Sequence, residues 1–280
     1  MTLAKIVLVT GTSSGIGSAT VVAAAQAGWR VVATMRDTSR ATALLDAVVA
    51  AGVADLVDVR ELDVTDAASV DVCLAGVVRD HGRLDAVVNN AGAGHVGTLE
   101  QETLADVRAV MEVNFFGVVA VTRAALPHLR ASGGRVVTVS SVGGVVGQPF
   151  NEAYCGAKFA VEGFMEALAP VAGSVGVRVV VVEPGAVASE FVANAGFEAS
   201  TMDAAGPYAP ALRAYVGRTR GAFAGAQTPA GAADTIVGAL TAAAPAFRVQ
   251  TSDQAREFVG VKLADLDGSA VQSLVGSWIS

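Results

Sequence analysis

Cysteine is scarce: Cys73 and Cys155 are the only two in 280 residues. That excludes a disulfide framework and fits a reducing compartment, with Cys155 read as a small apolar residue rather than a reactive thiol. Charge is scarce as well. Asp, Glu, Lys and Arg make up 16% of the chain against 52% hydrophobic residues, and the net charge is −7. So apolar a chain is not disordered and has ample material for a core. The acidic balance argues against nucleic acid as a partner. The three histidines, His81, His95 and His128, are scattered. No set of His, Cys or acidic residues has metal-ligand spacing, so no metal is expected. Internal repeats and linkers are missing, which predicts one domain over residues 1–280.

What is present first invites a misreading. No charge falls between Lys5 and Arg30, as in a signal peptide or a membrane span. The polar turn residues from Thr10 to Gly15 interrupt that run, so it reads as strand, loop and helix. A cytoplasmic protein without a membrane span is expected. Short β-branched runs recur at Lys5–Thr10, Arg30–Thr34, Leu56–Leu62, Leu84–Val88, Arg135–Val139, Val177–Val182 and Phe247–Thr251. Helical patterns lie between them, including a long one from Leu104 to about Arg130, kinked or frayed near Pro127, and one from about Pro229 to Ala243. This alternation predicts an α/β fold: a doubly wound parallel sheet of about seven strands with helices on both faces.

In such sheets ligands bind beyond the carboxyl ends of the strands. Six polar clusters fall there: Thr10–Gly17, Arg36, Asp63, Asn89–Gly92, Ser140–Ser141 and Pro184–Gly185. Gly11, Gly15 and Gly17 are spaced G-x-x-x-G-x-G ahead of a helix. Glycine permits positive φ and close backbone approach, and the helix N-terminus favours a pyrophosphate; a tight structural turn is the alternative. After strand two, where an acid would bond a ribose 2′-hydroxyl, stand Met35 and Arg36. A guanidinium suits a 2′-phosphate, with Ser13 or Ser14 adding a hydroxyl. NADP(H) is therefore preferred over NAD(H), with Asp37 read as pointing away.

Tyr154 and Lys158 are four apart, ahead of Phe159, Val161, Phe164, Met165 and Leu168 at helical spacing. They stack on one helix face, one turn apart. Ser141 ends a buried strand opposite them. A hydroxyl, a phenol and an amine so placed form a candidate proton-transfer site.

With these pieces in order, the chain resembles the short-chain dehydrogenase/reductase family. The matching segments are Thr10–Gly17 with Ile16, Asp63-Val64, Asn89-Asn90-Ala91-Gly92, Asn114, Ser141, Tyr154-Cys-Gly-Ala-Lys158 and Pro184-Gly185. Ser141–Cys155 and Thr34–Asp37 look most like 17β-hydroxysteroid and retinol dehydrogenases. The resemblance implies a Rossmann-type fold and a set of roles. Tyr154 is the proton donor or acceptor, Lys158 bonds the nicotinamide ribose and lowers the Tyr154 pKa, and Ser141 polarises the substrate oxygen. Asn114 holds a water linked to Lys158. Asn90 meets the cofactor ribose and Asp63 the adenine, with Val64 flanking that ring. Ala91, Gly92, Pro184, Gly185 and Val187 line the cofactor site, and Ser189, replacing a usual threonine, holds the carboxamide. Ala157 replaces a usual serine.

The function expected is interconversion of a secondary alcohol and a ketone or aldehyde. The alternatives are an NAD-linked dehydrogenase of a small polar alcohol and a non-catalytic dinucleotide sensor. The long segment of residues 186–227 reads as a substrate lid. Phe191, Phe197, Met202, Tyr208, Leu212, Tyr215 and Phe223 concentrate there in a chain with 5% aromatics. Val145, Val146, Pro149 and Phe150 are expected to form the opposite wall, which suits a bulky apolar substrate; packing of the lid onto the body is the alternative. His95 reads as a loop histidine, with contact to substrate as the alternative. Apolar residues on several faces of the Leu104 and Tyr154 helices suggest a homodimer or homotetramer.

Overall fold

A computed structural model describes residues 4–188 and 205–279. In chain order the elements are β1 (Ile6–Thr10), α1 (Gly15–Gln26), β2 (Arg30–Met35), α2 (Thr42–Ala50), β3 (Val57–Glu61), α3 (Ala67–His81), β4 (Ala86–Asn89), α4 (Leu104–Met111), α5 (Gly117–Ser132), β5 (Arg135–Val139), α6 (Glu152–Gly173), β6 (Arg178–Glu183), α7 (Ala209–Ala224), α8 (Pro229–Thr241), β7 (Arg248–Gln250), α9 (Asp253–Leu263) and α10 (Ser269–Gly276). The strands form one seven-stranded sheet in the order β3-β2-β1-β4-β5-β6-β7, with every pairing parallel. The order reverses between β1 and β4, which places the switch point, and hence the expected ligand crevice, beyond Thr10 and Asn89.

Side chains along a strand alternate between faces. Val7, Val9, Val31, Ala33 and Val137 pack with Val21 and Ala24 of α1, Leu44 and Val48 of α2, and Ile236 and Leu240 of α8. Ile6, Leu8, Val32, Val87 and Val136 pack on the other face with α3, α5 and α6. Because both faces are covered, β1 carries no polar alternation and all five residues are buried. Local chemistry fixes the helix ends. Asp66 accepts from Ala68 N to cap α3, which stops at the left-handed Gly82. Thr103 and Asp106 form a reciprocal capping box on α4. Thr228 caps α8 ahead of Pro229.

The Leu104 helix runs on as expected, to Ser132, with one wide π turn, Glu112–Phe116, between α4 and α5, and one expectation about it is corrected. Pro127 neither ends nor frays it, because α5 runs on to Ser132 and its left-handed Gly133. The apolar character of this 29-residue stretch would suffice to cross a membrane by length and composition. Here Val118, Val121, Ala125 and Leu129 bury it against the sheet. The tail beyond β7 is helical as well. α9, capped by Ser252, and α10 return to the body, where Ala255, Val259, Val271, Val275 and Trp278 join a cluster with Val142, Val146 and Tyr215.

Candidate active site

A cleft of about 1220 Å³ opens along the carboxyl edge of the sheet. Gly11, Ser13, Ser14, Gly15, Ile16, Gly17, Arg36, Asp63, Val64, Asn90, Ala91, Gly92, Ser141, Tyr154, Lys158, Pro184, Gly185 and Val187 all line it. Asn114 is fully buried beside it. Ser189 lies outside the described residues, as do Phe191, Phe197 and Met202.

The glycine loop is built for close approach. Gly11 has φ +69, and a Cβ there would fall 2.7 Å from Ala91 Cα; one at Gly17 would fall 2.1 Å from Gly11 O. Ser14 occupies the N-cap of α1 but makes no side-chain capping bond. The first-turn amides of α1 thus keep their capacity for an anion. Asn90 ties β4 to β1: its Nδ2 donates to Thr10 O and Gly11 O, both at 2.9 Å. Asp63 Oδ1 accepts from Thr65 N and Oγ1. At the end of β2, Asp37 turns back to accept from Ser39 N at 2.9 Å and Ser39 Oγ at 2.6 Å. Arg36 and Arg40 both line the cleft beside it. These residues and the uncapped helix end suit a nicotinamide dinucleotide. Its nicotinamide supplies hydride chemistry when bound.

At the other end, Ser141 caps the short turn Val142–Gly144 through Gly143 N, at 3.0 Å, and its hydroxyl hydrogen-bonds the Tyr154 phenol. Lys158 Nζ donates to Val139 O at 3.0 Å and lies 5.8 Å from the Tyr154 ring centroid. Asn114 sits in the π turn, where Nδ2 donates to Val110 O and Ala93 O, both at 3.0 Å, and Oδ1 accepts from Ala93 N at 3.2 Å.

The electrostatics differ from the family expectation. Burial pushes the Tyr154 phenol above its ordinary value, and the Ser141 hydrogen bond only opposes this. Lowering by Lys158 is not the governing influence here. Burial instead pulls the Lys158 amine down to about 8, against the attraction of Glu162. Glu162, one turn further along α6, is itself raised by burial and is held by Ser140 and Arg248. Arg248 Nε lies 3.1 Å from Glu162 and 3.4 Å from the fully buried Glu183. Burial also lifts the Cys155 thiol to about 11, which keeps it protonated at neutral pH.

The opposite wall is only partly as expected. Val145, Val146 and Phe150 are buried in the packing cluster behind the cleft, and so is Leu212 of α7. Tyr208 bonds Glu100 on an exposed surface. Val142, Gln148, Asn151, Tyr215 and Phe223 line the cleft instead. Arg40 and the tail residues Gln254, Phe258 and Trp278, which motif spacing did not single out, line it too. The Ser252 cap ahead of Ala255, Phe258 and Val259 was the available signal for the tail helix.

A parallel α/β sheet with a glycine loop at its switch point defines a dinucleotide-binding fold. The chain belongs to the short-chain dehydrogenase family, whose model, described as short chain dehydrogenase, matches residues 5–199. Retinol dehydrogenase 8 of Bos taurus is 36% identical over 274 residues, 95% of this chain and 87% of that protein. 17-beta-hydroxysteroid dehydrogenase type 1 of Mus musculus is 36% identical over 276 residues, 95% and 78% of the two chains. A solved short-chain dehydrogenase from Streptomyces avermitilis shares 33% identity over 98% of this chain and 96% of that one, with a TM-score of 0.78. The protein is thus an oxidoreductase acting on CH–OH groups of small molecules.

Proposed function

We propose an NADP(H)-preferring oxidoreductase that interconverts a secondary alcohol and a ketone or aldehyde on a bulky apolar substrate of steroid-, retinoid- or lipid-like character. The observation that carries the reaction class is the Ser141–Tyr154 hydrogen bond at the cleft, with Lys158 one turn along the same helix. In this reading Tyr154 Oη gives the proton to the carbonyl oxygen in reduction and takes it back in oxidation. Ser141 Oγ donates to the same oxygen. Lys158 bonds the nicotinamide ribose, and Asn114 fixes the neighbouring loop and positions a water toward Lys158. The glycine loop and the α1 N-terminus hold the pyrophosphate. Arg36, joined by Arg40, meets the 2′-phosphate; the preference is supported by these two guanidiniums lining the cleft at the end of β2, where Asp37 also lines it with one carboxylate oxygen engaged by Ser39.

The substrate class is supported by Val96, Val142, Val187, Tyr215, Phe258 and Trp278 along the cleft. Residues 186–227 act as its lid within a single domain. The ends of that segment are joined where Gln227 N donates to Ala186 O and Ala188 N donates to Gln227 O. Self-association as a homodimer or homotetramer belongs to the same reading, through Phe116 and Phe159, exposed on adjoining elements; sedimentation velocity reads it directly.

One experiment tests the core of this reading: Tyr154→Phe and Arg36→Ala assayed with NADPH and NADH. Tyr154→Phe should lose roughly 10²–10⁴-fold in turnover with cofactor affinity retained, the usual range for a general acid. Arg36→Ala should weaken NADPH by roughly 10- to 100-fold, as loss of a charge-assisted bond predicts, and NADH far less. Full turnover by the Phe variant would remove Tyr154 from the chemistry. Equal losses for both cofactors would remove Arg36 from the 2′-phosphate.

A further inference from the structure

None of the chemistry above uses His95. It lies on the loop between β4 and α4, and its ring lines the cleft. Its Nε2 is 2.9 Å from Glu102 Oε1. Glu102 is no surface acid: its side chain is 7% exposed, and Oε2 is buried with no hydrogen-bond partner among the described residues. Gly97 admits the pair, since a Cβ there would fall 2.6 Å from Glu102 Oε1.

The loop is held on both sides of His95. Upstream, Ala93 exchanges two hydrogen bonds with Asn114. Downstream, Gly97 N donates to Phe150 O at 3.0 Å, and Phe150 holds that carbonyl from an uncommon backbone conformation, φ 60. Val96, next to His95, is buried with Val142, Val146 and Tyr215, in the wall that joins Ser141 to the lid helix α7. The loop that carries the imidazole is therefore held on both sides of it, in the cleft that also holds Ser141 and Tyr154.

A carboxylate on one ring nitrogen sets the tautomer: Nε2–H donates to Glu102, and in the neutral ring Nδ1 becomes a bare acceptor. Nδ1 has no hydrogen bond among the described residues. It is the ring atom left to meet a ligand in a wall otherwise largely apolar.

We infer that His95, oriented by Glu102, is a substrate-recognition residue that accepts a hydrogen bond from a second hydroxyl of the substrate, one that does not react. The substrate class narrows to hydroxylated apolar ketones and the corresponding diols. This rests on the alcohol–carbonyl reading of the same cleft. A site built to hydrogen-bond a substrate group discriminates against the analogue that lacks it, because its own polar atom is then left unpaired.

The test compares decalone with a set of hydroxydecalones, the hydroxyl placed at successive ring positions, in the wild-type protein with its preferred cofactor, in His95→Leu and in His95→Asn. The readout is the preference ratio, kcat/KM for the best hydroxydecalone over kcat/KM for decalone. The wild type should prefer one hydroxydecalone by roughly 3- to 10-fold, the span of one neutral hydrogen bond, mainly through KM. His95→Leu should bring the ratio to near one. His95→Asn, whose Oδ1 can stand in for Nδ1, should restore part of it. A ratio near one in the wild type, or one unchanged in His95→Leu, would overturn the inference while decalone reduction leaves the oxidoreductase reading standing. The same holds if His95→Leu lowers both substrates equally, the mark of a merely structural role. No turnover of any decalone by cofactor-loaded protein would overturn the apolar-ketone reading itself, and the inference with it.

Discussion

Lys158 is a cation placed where a cation is costly. It is buried, it donates to the neutral Val139 carbonyl, and its amine is pulled down to about 8. The attraction of Glu162 works in the other direction and favours the ammonium. Removing that charge must therefore lower the Lys158 pKa below about 8. If the ammonium is the active form, the alkaline limb of a kcat/KM–pH profile should move to lower pH in Glu162→Gln, with the amide keeping a polar contact to Arg248. An unmoved limb would detach Glu162 from the chemistry. Tyr154, Lys158 and Ser141 are legible in the sequence because the first two are one helical turn apart and the third ends an apolar strand. The Glu162–Arg248 pair is not. Its members stand 86 residues apart on α6 and β7, and only the sheet order brings them together. Asp37, expected to point away, in fact lines the cleft together with Arg36 and Arg40, while its Oδ1 is engaged by Ser39 in a two-residue turn.

The long helix after β4 carries the element-scale lesson. Its apolar periodicity is continuous, so a sequence reading joins α4 to α5. The π turn between them depends on what Asn114 finds across the gap, namely Ala93 and Val110. A widened turn of this kind frees backbone geometry at a functional position, and no residue pattern announces it. Asn114→Ala should leave an amide and two carbonyls without these partners. Ala93 is exposed and can turn to water, but Val110 is buried, and a buried polar group left unpaired costs about 1–3 kcal/mol, so the melting temperature should fall. Exchange at the Ala93 amide should also rise, measured by hydrogen exchange. An unchanged melt with unchanged protection would mean the π turn holds itself. The strands, by contrast, were readable to within a residue or two, because apolar runs between turn residues suffice to mark a doubly covered sheet. α9 and α10 escaped that reading because they are short, and their buried residues pack against Val142, Val146 and Tyr215, which are distant in sequence.

Taken as one object, the molecule divides its cleft by chemistry. The end beneath β2 and α1 carries guanidiniums, a glycine cradle and a free helix N-terminus. The end beneath β5, β6, α7 and α9 carries Val142, Val187, Tyr215, Phe258 and Trp278, with Arg218 stacked 4.4 Å above the Trp278 ring. Of the apolar residues on α7, Leu212 packs only into the body, Tyr215 packs there and also lines the cleft, and Phe223 lines the cleft. That end is thus a wall shared by α7 and the tail. Each additional 100 Å² of apolar ligand surface buried there contributes at most about 2.5 kcal/mol, and ordering costs reduce what is realised. Along cyclohexanone, decalone and a steroid-sized tetracyclic ketone, kcat/KM should therefore climb at each step, with the gain carried mainly by KM while kcat changes little, because the ring carbons far from the carbonyl are bound alike in ground and transition states. A flat series, or a preference for the smallest ketone, would show that the apolar wall serves packing alone; the Trp278→Ala variant, which removes the largest aromatic from the tail side, should flatten the last step of the series more than the first.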